Sequence, residues 1–326
     1  MRALVSEKVG PPGSLVVRDL PEPHAGPGEV RVSVDACGIN YPDVLMIEDR
    51  YQFTIDRPFA PGIEICGRVD AIGSGVTGFK RGDRVLAQIR SGGLAEKAIA
   101  GADRLIAVPD NVDAERAASF LLTYGTSYYA LRDRAALKPE ETLLVLGAGG
   151  GVGLAAVELG KLVGATVVAA VSTDRKAQLA RAAGADDVIL YPLEAEPRTL
   201  AALFKAACPH GADVIYDPVG GPYAEPAFRS INWEGRYLAV GFAAGIPSLP
   251  LNLVLLKGAQ VVGVFWGAAI ERDVDAMRTS VAETLKWLAE GRLNPPPPTV
   301  YSLADGGAAI AALENRQAAG KLVVRI

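Results

Sequence analysis

The opening third of the chain carries short β-branched runs at Val30 to Val34, Gly67 to Ile72, Arg84 to Ala87 and Arg104 to Val108. Turn signals such as Gly26-Pro27-Gly28 and Arg81-Gly82-Asp83 separate them at short intervals, so the region to roughly Ala118 is expected to be an all-β, barrel-like domain. From about Ala117 to Phe265 the pattern changes to apolar strands alternating with helical stretches. Strands are predicted at Leu143 to Leu146, Thr166 to Val171, Asp187 to Leu190, Asp213 to Tyr216, Tyr237 to Val240 and Gln260 to Val264. Helices are predicted at Gly153 to Val163 and Arg175 to Ala183. Strand–helix alternation at this spacing argues for a parallel, doubly wound sheet. A third zone holds a helix from Val274 to Glu290, with Val274, Met277, Val281, Leu285 and Leu288 on one face. Pro295 to Pro298 then form an extended spacer, and a strand at Leu322 to Ile326 is expected to pack back on the first zone.

Composition narrows the class. A chain of 326 residues, 50% hydrophobic and 21% charged, suits two globular domains. A net charge of -4 gives no general attraction to nucleic acid or anionic membrane. Cys37, Cys66 and Cys208 are odd in number and far apart, so they suggest neither a metal-ligand pair nor a disulfide framework. No uncharged apolar run reaches the roughly 18 residues of a membrane span, and the N-terminal residues lack a signal-peptide core. A cytoplasmic protein is the expectation.

The strand Leu143 to Leu146 runs into Gly147-Ala148-Gly149-Gly150-Gly151-Val152-Gly153 and then a helix. Such glycines permit a tight strand-to-helix turn and let a pyrophosphate approach the helix N-terminus. Aligned on Gly153 the phase is Ala-x-Gly-x-x-Gly, with Ala148 and Gly150 in the first two places. At the end of the next strand, Ser172 stands where an NAD-selective site carries a carboxylate for the ribose hydroxyls. Asp174 comes only two residues later, while Arg175 and Lys176 can neutralise a 2′-phosphate. The expected cofactor is NADPH.

With these pieces in order, the chain resembles the zinc-free quinone oxidoreductases, the zeta-crystallin-like branch of the medium-chain dehydrogenase/reductase superfamily. The matching motifs are Gly38-Ile39-Asn40-Tyr41-Pro42-Asp43, Pro61-Gly62-Ile63-Glu64, Gly82-Asp83-Arg84-Val85, Ala148 to Gly153, Val171-Ser172-Thr173, Asp217-Pro218-Val219-Gly220-Gly221 and Gly320-Lys321-Leu322. The resemblance implies an α/β protein with a GroES-like β-barrel substrate domain at 1–118 and 267–326 and a Rossmann domain at 119–266. It also implies a homodimer, here through the strand Gln260 to Val264. The zinc alcohol dehydrogenases of that superfamily place Cys and His ligands where this chain has Asn40 and Ile63, and their four-cysteine lobe is missing. Zinc prefers Cys, His or carboxylate donors, so no metal is expected. His24 and His210 read as surface loop residues.

The same resemblance assigns roles. Lys176 and Tyr191 match positions at the 2′-phosphate and ribose, and Thr126 matches a threonine facing the nicotinamide. Gly241, Phe242, Val264 and Phe265 match nicotinamide-side loops, Asn40 a residue beside that ring, and Lys321 the terminal cofactor motif. Gly149, Gly151 and Val152 complete the phosphate turn. Without zinc, charge developing on the acceptor needs hydrogen-bond donors or a proton source, and Asn40, Tyr41 and Tyr51 are the candidates. Tyr51 matches both a substrate-site tyrosine and the proposed proton donor of 2-enoyl thioester reductases; Tyr41 and Tyr51 could equally be packing residues. Glu64 fits a structural ion pair as well as a catalytic role. The leading expectation is two-electron reduction of an apolar quinone or activated enone. Alternatives are an enoyl or acryloyl thioester reductase, marked by a basic lip near Arg50 and Arg57, and a non-catalytic NADPH-binding protein.

Overall fold

In a computed structural model that describes residues 1–326, the long strand Glu29–Ile39 is the axis of a seven-stranded sheet. One of its edges pairs antiparallel with Glu64–Ile72. The other is shared, with Lys97–Gly101 along its first half and Leu322–Arg325 along its second. Register shifts at Arg31/Val32 and Val34/Ala36 mark bulges that bend a strand of this length. Val30, Val32 and Val34 point into the core in single alternation. From Ala36 to Ile39 every residue is buried, because the helix Ala114–Ala118 covers the second face. Gly38 permits that approach: a Cβ there would lie 2.0 Å from the Ala118 carbonyl oxygen.

The first zone is not all-β. The helix Tyr41–Ile47 starts directly at the end of the long strand, where the Asp43 carboxylate accepts the Asn40 backbone N–H and Pro42 suits the first turn. The helices Ala114–Ala118, Val274–Ala289 and Gly306–Glu314 also belong to this unit, as do the two-stranded sheet of Arg2–Val5 with Val16–Asp19 and the strand Thr299–Ser302, which runs parallel to Leu322–Arg325. On the helix Val274–Ala289 the residues Met277, Val281, Leu285 and Leu288 are buried.

Tertiary contacts group Met1–Leu122, Asp273–Glu290 and Pro297–Ile326 into this first unit, and Thr123–Arg272 with Gly291–Pro296 into a second. The divisions therefore fall a few residues from 118 and 267, and residues 291–296 leave the first unit altogether. The cause is local: Leu293 is buried and the Asn294 backbone N–H donates to the Glu158 carboxylate at 2.9 Å.

The second unit is a six-stranded sheet, parallel throughout. Its order runs from Asp187–Leu190 through Thr166–Val171, Thr142–Leu146, Ala212–Asp217 and Ile231–Ala239 to the edge strand Gln260–Gly263. The first strand in sequence lies in the middle, so strand order reverses between Thr142–Leu146 and Ala212–Asp217. In open α/β sheets ligands bind beyond the carboxyl ends of strands at such a reversal. Leu143 to Leu146 and Val167 to Val171 are buried on both faces, which explains their continuous apolar spelling.

Candidate functional site

The turn leaving Leu146 occupies that reversal point. Gly147 has φ +58°, and a Cβ there would come within 2.7 Å of Val219 in the loop that follows Asp217. The loop is itself pinned: the buried Asp217 carboxylate accepts the Val219 and Gly220 N–H groups at 2.7 and 2.8 Å and the Tyr237 hydroxyl. Burial raises the pKa of Asp217 above the usual carboxylate range. At the other end of the turn, a Cβ on Gly153 would lie 2.3 Å from the Gly147 carbonyl oxygen. Only glycine lets the helix Gly151–Val163 start so close to the strand. Gly150 is its N-cap, and the first intrahelical bond is Leu154 N–H to the Gly150 carbonyl. The N–H groups of Gly151, Val152 and Gly153 are left facing the start of the helix, as an anion requires. The turn fits a dinucleotide pyrophosphate.

The next strand brings the specificity residues to the same place. Ser172 is half-buried after Val171, and Thr173 caps the helix Asp174–Ala182 by accepting the Lys176 N–H at 3.3 Å. The Lys176 stem crosses the phosphate turn: a Cβ on Gly149 would meet Lys176 Cβ at 2.4 Å and Cγ at 2.5 Å. Gly149 lies outside the fingerprint phase, and it is the residue that makes room for this lysine. Asp174 and Arg175 are exposed. Tyr191 donates its backbone N–H to the Val171 carbonyl at 3.0 Å, while its ring is buried against Tyr223 and Phe204, with centroids 5.2 and 6.5 Å away.

The remaining second-unit residues lie on separate segments. Thr126 is half-buried in the helix Leu121–Tyr128, where the Ser127 hydroxyl donates to the Val152 carbonyl and bonds the Tyr216 hydroxyl, both at 2.9 Å. Gly241 donates to the Asp217 carbonyl at 3.2 Å. Val264 is buried, whereas Phe242 and Phe265 are exposed.

In the first unit Asn40, Glu64 and Lys321 form one buried polar cluster. Asn40 Nδ2 donates to Glu64 Oε2 at 2.8 Å and to the Gly38 carbonyl at 3.1 Å. Lys321 Nζ donates to Asn40 Oδ1 at 2.5 Å and to Glu64 Oε2 at 2.8 Å. Glu64 Oε1 accepts the Leu122 backbone N–H at 2.9 Å. An amide has two N–H donors and an ammonium three. Asn40 therefore has no N–H left for a substrate, and one N–H of Lys321 remains. Beneath the cluster, Asp43 Oδ1 accepts the Gly62 N–H at 3.0 Å, and burial raises the Asp43 pKa to about 7. Sequence reasoning gave Asp43 no role and read Glu64 as either an ion-pair partner or a catalytic group; the structure shows the ion pair, with Lys321. The signal was present in Asn40-Tyr41-Pro42-Asp43 and Gly62-Ile63-Glu64, but Glu64 finds its cation 257 positions away.

Tyr51 is half-buried and meets the Phe53 ring edge-on, with centroids 5.0 Å apart; Tyr41 is half-buried at the first turn of its helix. Burial, then the nearby Asp43 carboxylate, raises the Tyr51 pKa. Zinc does not fit these residues. Ile63 offers no donor atom, the Asn40 amide oxygen already accepts from the Lys321 ammonium, and no three His, Cys, Asp or Glu side chains gather to hold a metal. His24 and His210 are exposed.

Comparison with known proteins bears on the domains and the family. Residues 26–110 match a family model described as the alcohol dehydrogenase GroES-like domain, and residues 151–288 one described as zinc-binding dehydrogenase. Quinone oxidoreductase-like protein 2 of Bos taurus is 35% identical over 96% of this chain and 89% of its own length. A mycobacterial protein solved with NADPH superposes with a TM-score of 0.93 at 30% identity, covering 100% of both chains. Escherichia coli quinone oxidoreductase, also solved with NADPH, gives 0.92 at 28% identity over 100% of both. A GroES-like domain joined to a parallel-sheet Rossmann-type domain, and relatives of this length and identity, mean that the chain belongs to the zinc-free quinone oxidoreductase branch of the medium-chain dehydrogenase/reductase superfamily.

Proposed function

We propose that the chain is an NADPH-dependent, zinc-independent oxidoreductase that reduces a quinone or an activated enone. The observation that carries this reading is Lys176 lying on the phosphate turn at Gly149, with Ser172 rather than an acid at the end of the strand. Bound NADPH supplies a hydride from its nicotinamide ring. The N–H groups of Gly151, Val152 and Gly153 hold the pyrophosphate, with Ala148 and Gly150 shaping the turn. Lys176, supported by Arg175 and Ser172, takes the 2′-phosphate beside Tyr191. Thr126, Gly241, Phe242, Val264 and Phe265 border the nicotinamide side, and Lys321 offers its remaining N–H to the cofactor while Asn40 and Glu64 fix its direction. Tyr51 gives a proton to the acceptor oxygen, and Tyr41 lines the same side. The thioester reading is weakened at its own marker. The Arg57 guanidinium bonds Asp49, Ser6 and the Met46 and Ile47 carbonyls, and Arg50 pairs with Glu48. NADPH oxidation followed against quinones, enals and acyl-CoAs tests the assignment; turnover confined to acyl-CoAs would replace it.

Zinc independence has its own check. Purified protein is expected to hold no stoichiometric zinc, and chelators should leave activity intact. One tightly held equivalent in elemental analysis overturns that expectation.

A homodimer continuing the sheet through Gln260–Gly263 is part of the same proposal. That strand pairs on one side only, with Ile231–Ala239, and exposes Val261. Trp233, Leu251, Leu255 and Leu256 are also exposed in this unit. An unprotected edge strand and exposed apolar side chains favour burial. Light scattering at micromolar concentration should give twice the chain mass; a monomer contradicts it. Three buried, unpaired cysteines suit a reducing, cytoplasmic setting.

A further inference from the structure

The Phe53 ring that meets Tyr51 also carries a cation that the cofactor site does not use. The strand Arg84–Gln88 pairs with Glu64–Ile72, placing Gln88 opposite Glu64, and Arg90 follows two residues later. Its backbone is held on both sides: Ile89 donates to the Ile63 carbonyl at 2.9 Å and Gly92 to the Ala60 carbonyl at 2.8 Å. The guanidinium lies over the Phe53 ring, 4.4 Å from its centroid, and Tyr51 meets the same ring edge-on. Nearby cations are already paired, Arg57 with Asp49 at 2.8 Å and Arg50 with Glu48 at 2.9 Å. Arg90 is exposed, and its guanidinium makes no ion pair or hydrogen bond.

We propose that Arg90, seated on the Phe53 ring that Tyr51 also meets, is a specificity residue that binds an anionic group carried on a planar, conjugated acceptor. This rests on the reductase reading and narrows it, from apolar acceptors in general to those that pair a flat ring with a carboxylate or similar anion. A guanidinium on an aromatic face retains its charge and presents its planar edge for bidentate bonds to a carboxylate. The ring platform lowers the ordering cost of the side chain, since stacking and the tethered backbone fix its direction before ligand arrives.

The test uses the full chain and two probes of equal shape, 2-naphthoate and uncharged 2-naphthamide, titrated calorimetrically. The wild type should bind the carboxylate roughly five- to ten-fold more tightly, a charged contact discounted for exposure. Arg90→Gln should bring the ratio to about one by weakening the carboxylate alone. Acetate at the same concentration should not displace naphthoate, because it lacks the ring. A ratio near one in the wild type, an unchanged ratio in the variant, equal displacement by acetate, or no binding of either probe overturns the proposal. Steady-state reduction of benzylideneacetone and its para-carboxylate gives the second readout: Arg90→Gln should raise KM for the carboxylate and leave both kcat values in place. Should the calorimetric ratio behave as stated while no quinone or enone is reduced, the reductase reading fails and the anion site stands.

Discussion

Tyr51→Phe is expected to lower turnover by roughly 10²–10⁴-fold while NADPH affinity stays nearly constant, the range for loss of a general acid. The substitution keeps the ring that packs edge-on against Phe53, so the fold loses little. It removes a half-buried hydroxyl whose pKa burial has raised, a group that stays proton-bearing at neutral pH. Only an interaction made as charge develops on the acceptor lowers kcat without touching ground-state cofactor binding. The measurement pairs steady-state kinetics with direct NADPH titration. Unchanged turnover would make Tyr51 a packing residue of the Phe53 platform and leave the proton to solvent.

Lys176→Ala should weaken NADPH binding by roughly one to two orders of magnitude and barely alter NADH, because a charged hydrogen bond contributes about 1.5–3 kcal/mol. A 2′-phosphate carries close to two negative charges, and Ser172 spares it the repulsion of a carboxylate. The Lys176 stem lies in close contact with Gly149, so the substitution also empties space beside the turn. That second effect is common to both cofactors, which is why the NADH titration matters. Equal losses would assign Lys176 to support of the turn, and a wild-type preference for NADH would overturn the cofactor assignment.

The second unit was more legible in the sequence than the first, for a physical reason. Strands buried on both faces spell continuous apolar runs, and the glycines after Leu146 are demanded by contacts only a few residues away, as Gly153 against the Gly147 carbonyl demonstrates. The first unit mixes short helices into its sheet. Tyr41–Ile47 has only seven residues and starts at a capping box, too brief for a 3.6-residue period to emerge from β-branched surroundings. Thr299–Ser302 follows a proline run and forms its pairs only with a strand over twenty positions later. The site divides in the same way. Gly150, Gly153 and Lys176 sit in local motifs. Asn40 was selected as a donor, yet its side-chain N–H groups proved engaged by the Gly38 carbonyl and by Glu64, and its oxygen accepts from Lys321, 281 positions away.

The pairing of Leu322–Arg325 with Ala36–Ile39 bears on how the chain folds as it leaves the ribosome. All strands of the six-stranded sheet lie between Thr142 and Gly263 and can assemble once that stretch has emerged. The bulged strand meets Lys97–Gly101 along the first half of its second edge, but waits much longer for Leu322–Arg325 along the other half. At synthesis rates of about 5–20 residues per second, the roughly 200 positions from Leu122 to Leu322 correspond to about 10–40 s. Throughout that interval Ala36 to Ile39 present an apolar, unpaired edge, and Glu64 lacks the ammonium of Lys321. Contacts of such long sequence separation slow folding and lengthen exposure to aggregation. An arrest of translation before residue 322 should therefore leave this edge unpaired and the N-terminal segment more prone to aggregate.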